Sequence, residues 1–162
     1  MTPYRRRSTR SLFLGPSVAA LLLAAAGCST GDAQAPVTVP APPPDAAAYC
    51  EALHNELPKT VAGLERNDPG PASDLTAGWG DGAIVLRCGV PRPAKMDDPQ
   101  AQAVEADGVN WLLEQREGDG PRFTTTYRKA YVEVTLSTAY AHDSTPLSAF
   151  AAPVRKTVPD SL

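Results

Sequence analysis

Apolar residues follow three different rhythms along the chain. From Leu12 to Ala26 they run almost without interruption, broken by Ser17 beside Pro16. From Tyr49 they recur at spacings of three and four, through Cys50, Leu53 and Leu57, which is one face of a helix. Asp45 can cap that helix ahead of Ala46-Ala47-Ala48. Leu57-Pro58 ends or kinks it, because a proline disfavours helical backbone in the residue before it. Val61 and Leu64 continue the pattern as a second short turn, and residues 67–71 (Asn-Asp-Pro-Gly-Pro) form a loop.

Beyond this loop the period drops to two. Leu75–Trp79 and Ala83–Cys88 flank Gly80-Asp81-Gly82 and read as a hairpin, with Ile84, Leu86 and Cys88 on one face. Pro91 to Ala101 is a polar loop. Val109–Gln115, Phe123–Tyr127 and Ala130–Leu136 read as further strands, with a turn at 117–121. Trp111 shares a face with Val109 and Leu113 and is expected in the core, and Val132, Val134 and Leu136 point inward. A last helix is capped by Thr145, carries Pro146 at its first position and aligns Leu147, Phe150, Ala151, Val154 and Val158, with Pro153 expected to kink or shorten it. The expected fold is α+β: one small domain, an antiparallel sheet of about four to five strands, and N- and C-terminal helices packed on one face.

The opening segment is of another kind. Arg5, Arg6, Arg7 and Arg10 precede the apolar run, which is short for a membrane span of about 18 to 20 residues. This is the layout of an export signal over residues 1–27. Its end, Ala25-Ala26-Gly27-Cys28, resembles the lipobox of bacterial lipoproteins, with Ala25 where Leu is usual. Cys28 is therefore the expected lipidation site. A diacylglyceryl group there would anchor the chain to the outer face of the cell membrane, since two acyl chains hold stably where one does not. Residues 28–45 follow as a tether rich in Pro and Ala, semi-rigid and extended. The globular domain is expected over 46–160.

Removing the signal changes the charge. The chain has 15 basic and 18 acidic residues, net −3. The signal takes four arginines and no acid, which leaves 11 against 18, or −7. An acidic surface repels polyanions, so nucleic acid is excluded as a partner.

Lipid on Cys28 leaves Cys50 and Cys88. An even pair in an oxidising compartment reads as a disulfide. Both cysteines lie on inward faces, so the bridge would pin the first helix to the sheet. The two are 38 positions apart, and closing such a loop contributes about 4 kcal/mol in the chain-entropy account.

Several short motifs together resemble a known family. They are Cys50-x-x-Leu53, Leu57-Pro58, Trp79-Gly80-Asp81, Leu86-Arg87-Cys88-Gly89-Val90, Val109-Asn110-Trp111, and Tyr127-Arg128 ahead of Tyr131-Val132-Glu133-Val134. In this set the chain resembles domain of unknown function 3515, found in actinobacterial envelope lipoproteins. The resemblance covers nearly all of the expected domain. It implies an envelope location and a paired-cysteine domain, and it brings no catalytic residues with it.

The residues themselves offer little chemistry. His54 stands one turn from Cys50, and His142 lies in a polar loop before the last helix; both read better as structural than as catalytic. Cys50, His54, Cys88 and His142 are acceptable zinc ligands by type, but not at a known spacing, and oxidation competes for the thiols. No metal or cofactor is expected. Glu105, Glu114, Glu117 and Glu133 give no assignable pair of catalytic carboxylates; Glu114 and Glu133 fall at solvent-facing strand positions. Trp79, Asp81, Arg87 and Arg128 are the candidate recognition surface, because Trp and Arg carry binding energy where they cluster exposed; the alternative for Trp79, ahead of a glycine turn, is a plug at the end of the sheet. The expected role is a non-enzymatic binding or accessory module for a membrane or cell-wall partner. The alternatives are a small-molecule or metal-binding domain, or a cell-wall hydrolase.

Overall fold

The computed structural model describes residues 36–162. The signal segment, Cys28 and the first part of the tether lie outside the described residues.

Helix α1 spans Pro44–Glu56, two residues longer at its start than the Asp45 cap predicts. Pro44 occupies the first turn, where a missing N–H removes no helical bond. Asp45 sits in that turn and makes no capping bond. The helix stops at an extended Leu57, before Pro58, as expected. The second helical turn expected at Val61 and Leu64 is instead a small hairpin, β1 (Thr60–Val61) with β2 (Leu64–Glu65). Ala62 and Gly63, at φ 50° and 79°, give the two-residue turn whose twist suits a hairpin.

The main sheet contains β3 (Thr76–Trp79), β4 (Ile84–Val90), β5 (Gln102–Ala106), β6 (Val109–Glu114), β7 (Arg122–Thr125) and β8 (Tyr131–Leu136). Their order is β3-β4-β8-β7-β6-β5, antiparallel throughout. The class is α+β as expected, but the sheet has six strands rather than four or five. The additional strand is β5. It is joined to β6 by Asp107-Gly108, at φ 47° and 82°, another tight hairpin turn.

Helix α2 covers Ser148–Thr157, after a single 3-10 turn at Thr145–Leu147. Pro153 does not end it. Burial of Phe150, Ala151 and Val154 holds the helix through the proline, and the Thr157 hydroxyl donates to the Pro153 carbonyl at 2.8 Å.

Register divides the sheet into two faces. Ala77, Trp79, Ile84, Leu86, Cys88, Val132, Val134, Phe123, Val109 and Trp111 share one, and all are buried. Helices α1 and α2 pack on each other and join this core through Cys50, Leu53, Phe150 and Val154. Cys50 and Cys88 are bonded, with Cα atoms 5.5 Å apart, so the bridge ties α1 to β4. The opposite face carries no α-helix among the described residues; a single 3-10 turn at Ala94–Asp97 borders it.

Residues 37–42 are held against the domain. The Val37 amide donates to the Gly70 carbonyl at 2.9 Å, and Arg87 Nη1 donates to the Thr38 carbonyl at 3.2 Å. Pro42 lies over Gly89, where an added Cβ would stand 2.5 Å from the proline ring. The last part of the segment read as a spacer is thus seated on β4.

Candidate functional site

The four residues expected to form a recognition surface do not come together. Trp79 is completely buried. Its ring packs tilted on Phe150 with centroids 5.2 Å apart, and its indole N–H donates to the Pro58 carbonyl at 3.1 Å. Arg66 lies 6.0 Å above the ring. Asp81 is exposed in the β3-β4 turn at φ 53°, accepting from the Asn67 side chain at 2.7 Å. Arg128 is only 8% exposed and bonds the Val158 carbonyl at 3.0 Å and Asp160 at 3.1 Å. Both Trp79 and Arg128 secure the fold: an indole plug beside a glycine, and a guanidinium fixing the C-terminal tail.

Arg87 belongs to a different constellation, on the sheet face opposite α1 and α2. Its Nε donates to Glu133 Oε1 at 2.8 Å. The other oxygen of Glu133 is 3.8 Å from Arg122, and Arg122 grips Glu114 with two bonds of 3.0 Å. The four side chains cross β4, β8, β7 and β6 in a row. Pairing with Glu114 raises the Arg122 pKa above its ordinary value, against the opposing effect of partial burial. The Glu133 side chain is 8% exposed, although its sequence position reads as solvent-facing. The arginines on either side cover it, which an alternation rule does not foresee.

Beside this row the same face opens into a groove of about 210 Å³. Arg92 and Met96 come from the loop before β5, Ala103 from β5, Leu112 from β6, and Tyr127 and Tyr131 from the segment that ends in β8. Tyr127 is 57% exposed and holds φ 57°, an uncommon conformation for a bulky residue. The C-terminal tail fixes it there, since the Ser161 amide donates to the Tyr127 carbonyl at 2.9 Å and Lys129 to Pro159 at 3.0 Å. Sequence reading placed no site residue in this groove except through the Tyr127-Arg128 motif. Besides Leu112 of β6 and Tyr131 of β8, its walls come from a polar loop, from β5 and from the C-terminal tail, none of which shows apolar periodicity.

A second hollow, of about 250 Å³, lies on the helix side of β5. Val104, Leu113, Phe123 and His142 line it. His142 is exposed there, and its neighbour Asp143 accepts from the Thr145 hydroxyl at 2.6 Å and amide at 2.9 Å. Those bonds hold the Asp143 carboxyl below its usual pKa. His54 stands far along the chain from it, with Nε2 at 2.9 Å from Arg66 Nη2 and 3.8 Å from Asp74. Arg66 is also paired with Asp68, at 2.9 Å. The sulfurs of Cys50 and Cys88 are bonded to each other, so neither serves as a thiolate nucleophile or zinc ligand.

The two edges of the sheet differ. Beyond β3 the chain from β2 closes the edge. The Gly80 amide donates to the Glu65 carbonyl at 3.0 Å, the Asn67 amide to the Gly78 carbonyl at 2.8 Å, and the Gly78 amide to Asp68 at 3.2 Å. Beyond β5, no such bond is made among the described residues.

A family model described as protein of unknown function (DUF3515) matches residues 14–162, and the chain belongs to that family. Neither the curated proteins nor the solved structures gave a match.

Proposed function

We propose that this member of the family is an exported lipoprotein, lipidated on Cys28, whose domain acts as a non-enzymatic binding or accessory module on the outer face of the cell membrane. The observation that carries the binding role is the groove beside β5. It combines a methionine, a leucine and two tyrosines with one arginine, and one of the tyrosines is held exposed at its lip. Apolar concavities with a few polar groups are where proteins take ligands and partner segments. The anchoring role rests on the arginine-led apolar run and the small residues before Cys28. The Cys50–Cys88 bridge suits an oxidising compartment. Membrane partners and cell-wall partners both fit this placement, and nucleic acid does not.

The test is fractionation with in-cell crosslinking of the wild-type chain against Cys28→Ala. The wild type is expected in the membrane fraction, carrying lipid, with one dominant crosslinked partner that the variant loses. A Cys28→Ala protein that remains membrane-bound and lipidated would refute the anchor. A wild-type protein with no enriched partner would refute the accessory role.

A further inference from the structure

We propose that β5 is a docking edge for an extended, basic segment of a partner polypeptide, which joins the sheet as a seventh strand. This deepens the binding role proposed above and rests on it. A strand at a sheet edge presents unpaired N–H and C=O groups, and proteins usually blunt such edges with lysine, proline or a covering segment. This chain does so at β3. At β5, Gln102-Ala103-Val104-Glu105-Ala106 contains neither lysine nor proline. Its outer side makes no backbone hydrogen bond to another segment among the described residues.

The two hollows add a second argument. Successive side chains of a strand point to opposite faces. A strand laid along β5 would direct one side chain toward the groove next to Ala103 and the next toward the hollow beside Val104. Main-chain bonds would supply affinity and the hollows would select side chains, as in other cases of strand addition.

Charge identifies the occupant. Residues 97–115 hold Asp97, Asp98, Glu105, Asp107 and Glu114 and no lysine or arginine; the cations near this edge come from elsewhere in the chain, Arg92 and Lys95 from the loop before β5 and Arg155 from α2 beside Gly108. Asp97, Asp98 and Glu114 are matched by Arg92, Lys95 and Arg122. Glu105 and Asp107 form no ion pair among the described residues; Glu105 accepts only the Gly108 amide. A lysine or arginine on the incoming strand would face Glu105. A second copy of β5 would bring no lysine or arginine to face Glu105 and would add a further acid to the edge, which disfavours self-pairing.

The test uses the full lipidated chain in lipid nanodiscs and a capped peptide of alternating lysine and valine. Two controls are the same peptide with glutamate for lysine and one with alternate amides N-methylated. Exchange of the backbone amides is read residue by residue. The lysine peptide is expected to slow the β5 amides that do not pair with β6 by about tenfold or more. Neither control should do so. Glu105→Gln, which keeps an acceptor for Gly108, should weaken the lysine peptide about fivefold without moving the unfolding midpoint, and added salt should weaken it further. Equal protection by all three peptides, protection elsewhere than β5, or β5 amides already protected by a second copy would overturn the proposal. Membrane fractionation is scored separately. If the peptide fails while the Cys28-dependent partner persists, the edge assignment falls and the accessory role stands.

Discussion

The sheet ends differently on its two sides. At β3 the chain turns back and occupies the edge with its own backbone. Gly78 makes this possible: an added Cβ would stand 2.7 Å from the Asn67 carbonyl oxygen, so only glycine lets the two segments approach. Trp79 then plugs the space beneath, and Arg66 lies over it. At β5 a strand of similar length has hollows on both faces and, among the described residues, no backbone laid across it. The comparison separates two uses of conspicuous residues. The tryptophan corner, prominent in sequence, holds the fold together. The unremarked Gln-Ala-Val-Glu-Ala segment carries the accessible surface.

Disrupting the closed side should have the larger consequences. Trp79→Ala removes a wholly buried indole and is expected to cost about 3 to 5 kcal/mol in denaturant unfolding. A loss below about 1 kcal/mol would show that the corner does not hold the edge. Replacing both Cys50 and Cys88 with alanine should cost about 4 kcal/mol, because the 38-residue loop is no longer closed in the unfolded chain. A midpoint unaffected by the double substitution would mean that α1 needs no tie to β4. Gly78→Ala should cost about 1 to 3 kcal/mol and speed exchange of the Gly80 amide, by pushing the Asn67 backbone away. Unchanged exchange would show that the neighbouring chain yields.

The smallest effect concerns acid, on the open side. Asp143 has a lowered folded pKa, so its contribution is present above the unfolded value and is lost as pH falls through the folded one. Below about pH 4 the loop at His142 should loosen, and Asp143→Asn should flatten that limb of the stability curve. An identical acid limb in the variant would assign the effect to other carboxylates. Because Asp143 is exposed, the change should be small.

Much of this fold is legible from alternation alone. Ile84, Leu86 and Cys88, and likewise Val132, Val134 and Leu136, point inward as their spacing predicts, and Trp111 lies in the core. The cysteine pair was readable because helical and strand periods independently put both residues on inward faces. Strand β5 was not, since an edge strand buries little and its alanines carry no strong pattern; Asp107-Gly108 is its one local signal. The β1-β2 hairpin was hidden because Val61 and Leu64 stand three apart, which fits a helix equally well. Trp79 was open to two readings for a related reason: a tryptophan beside a glycine turn can be a surface corner or a plug at the sheet's end, and only the segment that covers it decides. Glu133 looked exposed by alternation, yet arginines from both neighbouring strands enclose it. Long-range coverage of this kind has no signature in local spacing.

Residue-resolved amide exchange of the full chain, without any ligand, tests the contrast between the edges most directly. The account predicts that the Gly78 amide of β3 and the Gly80 amide just after it are protected by their bonds to Asp68 and Glu65, while the β5 amides that do not pair with β6 exchange freely. Equal protection of the two edges would mean that β5 is already covered, and would contradict the account.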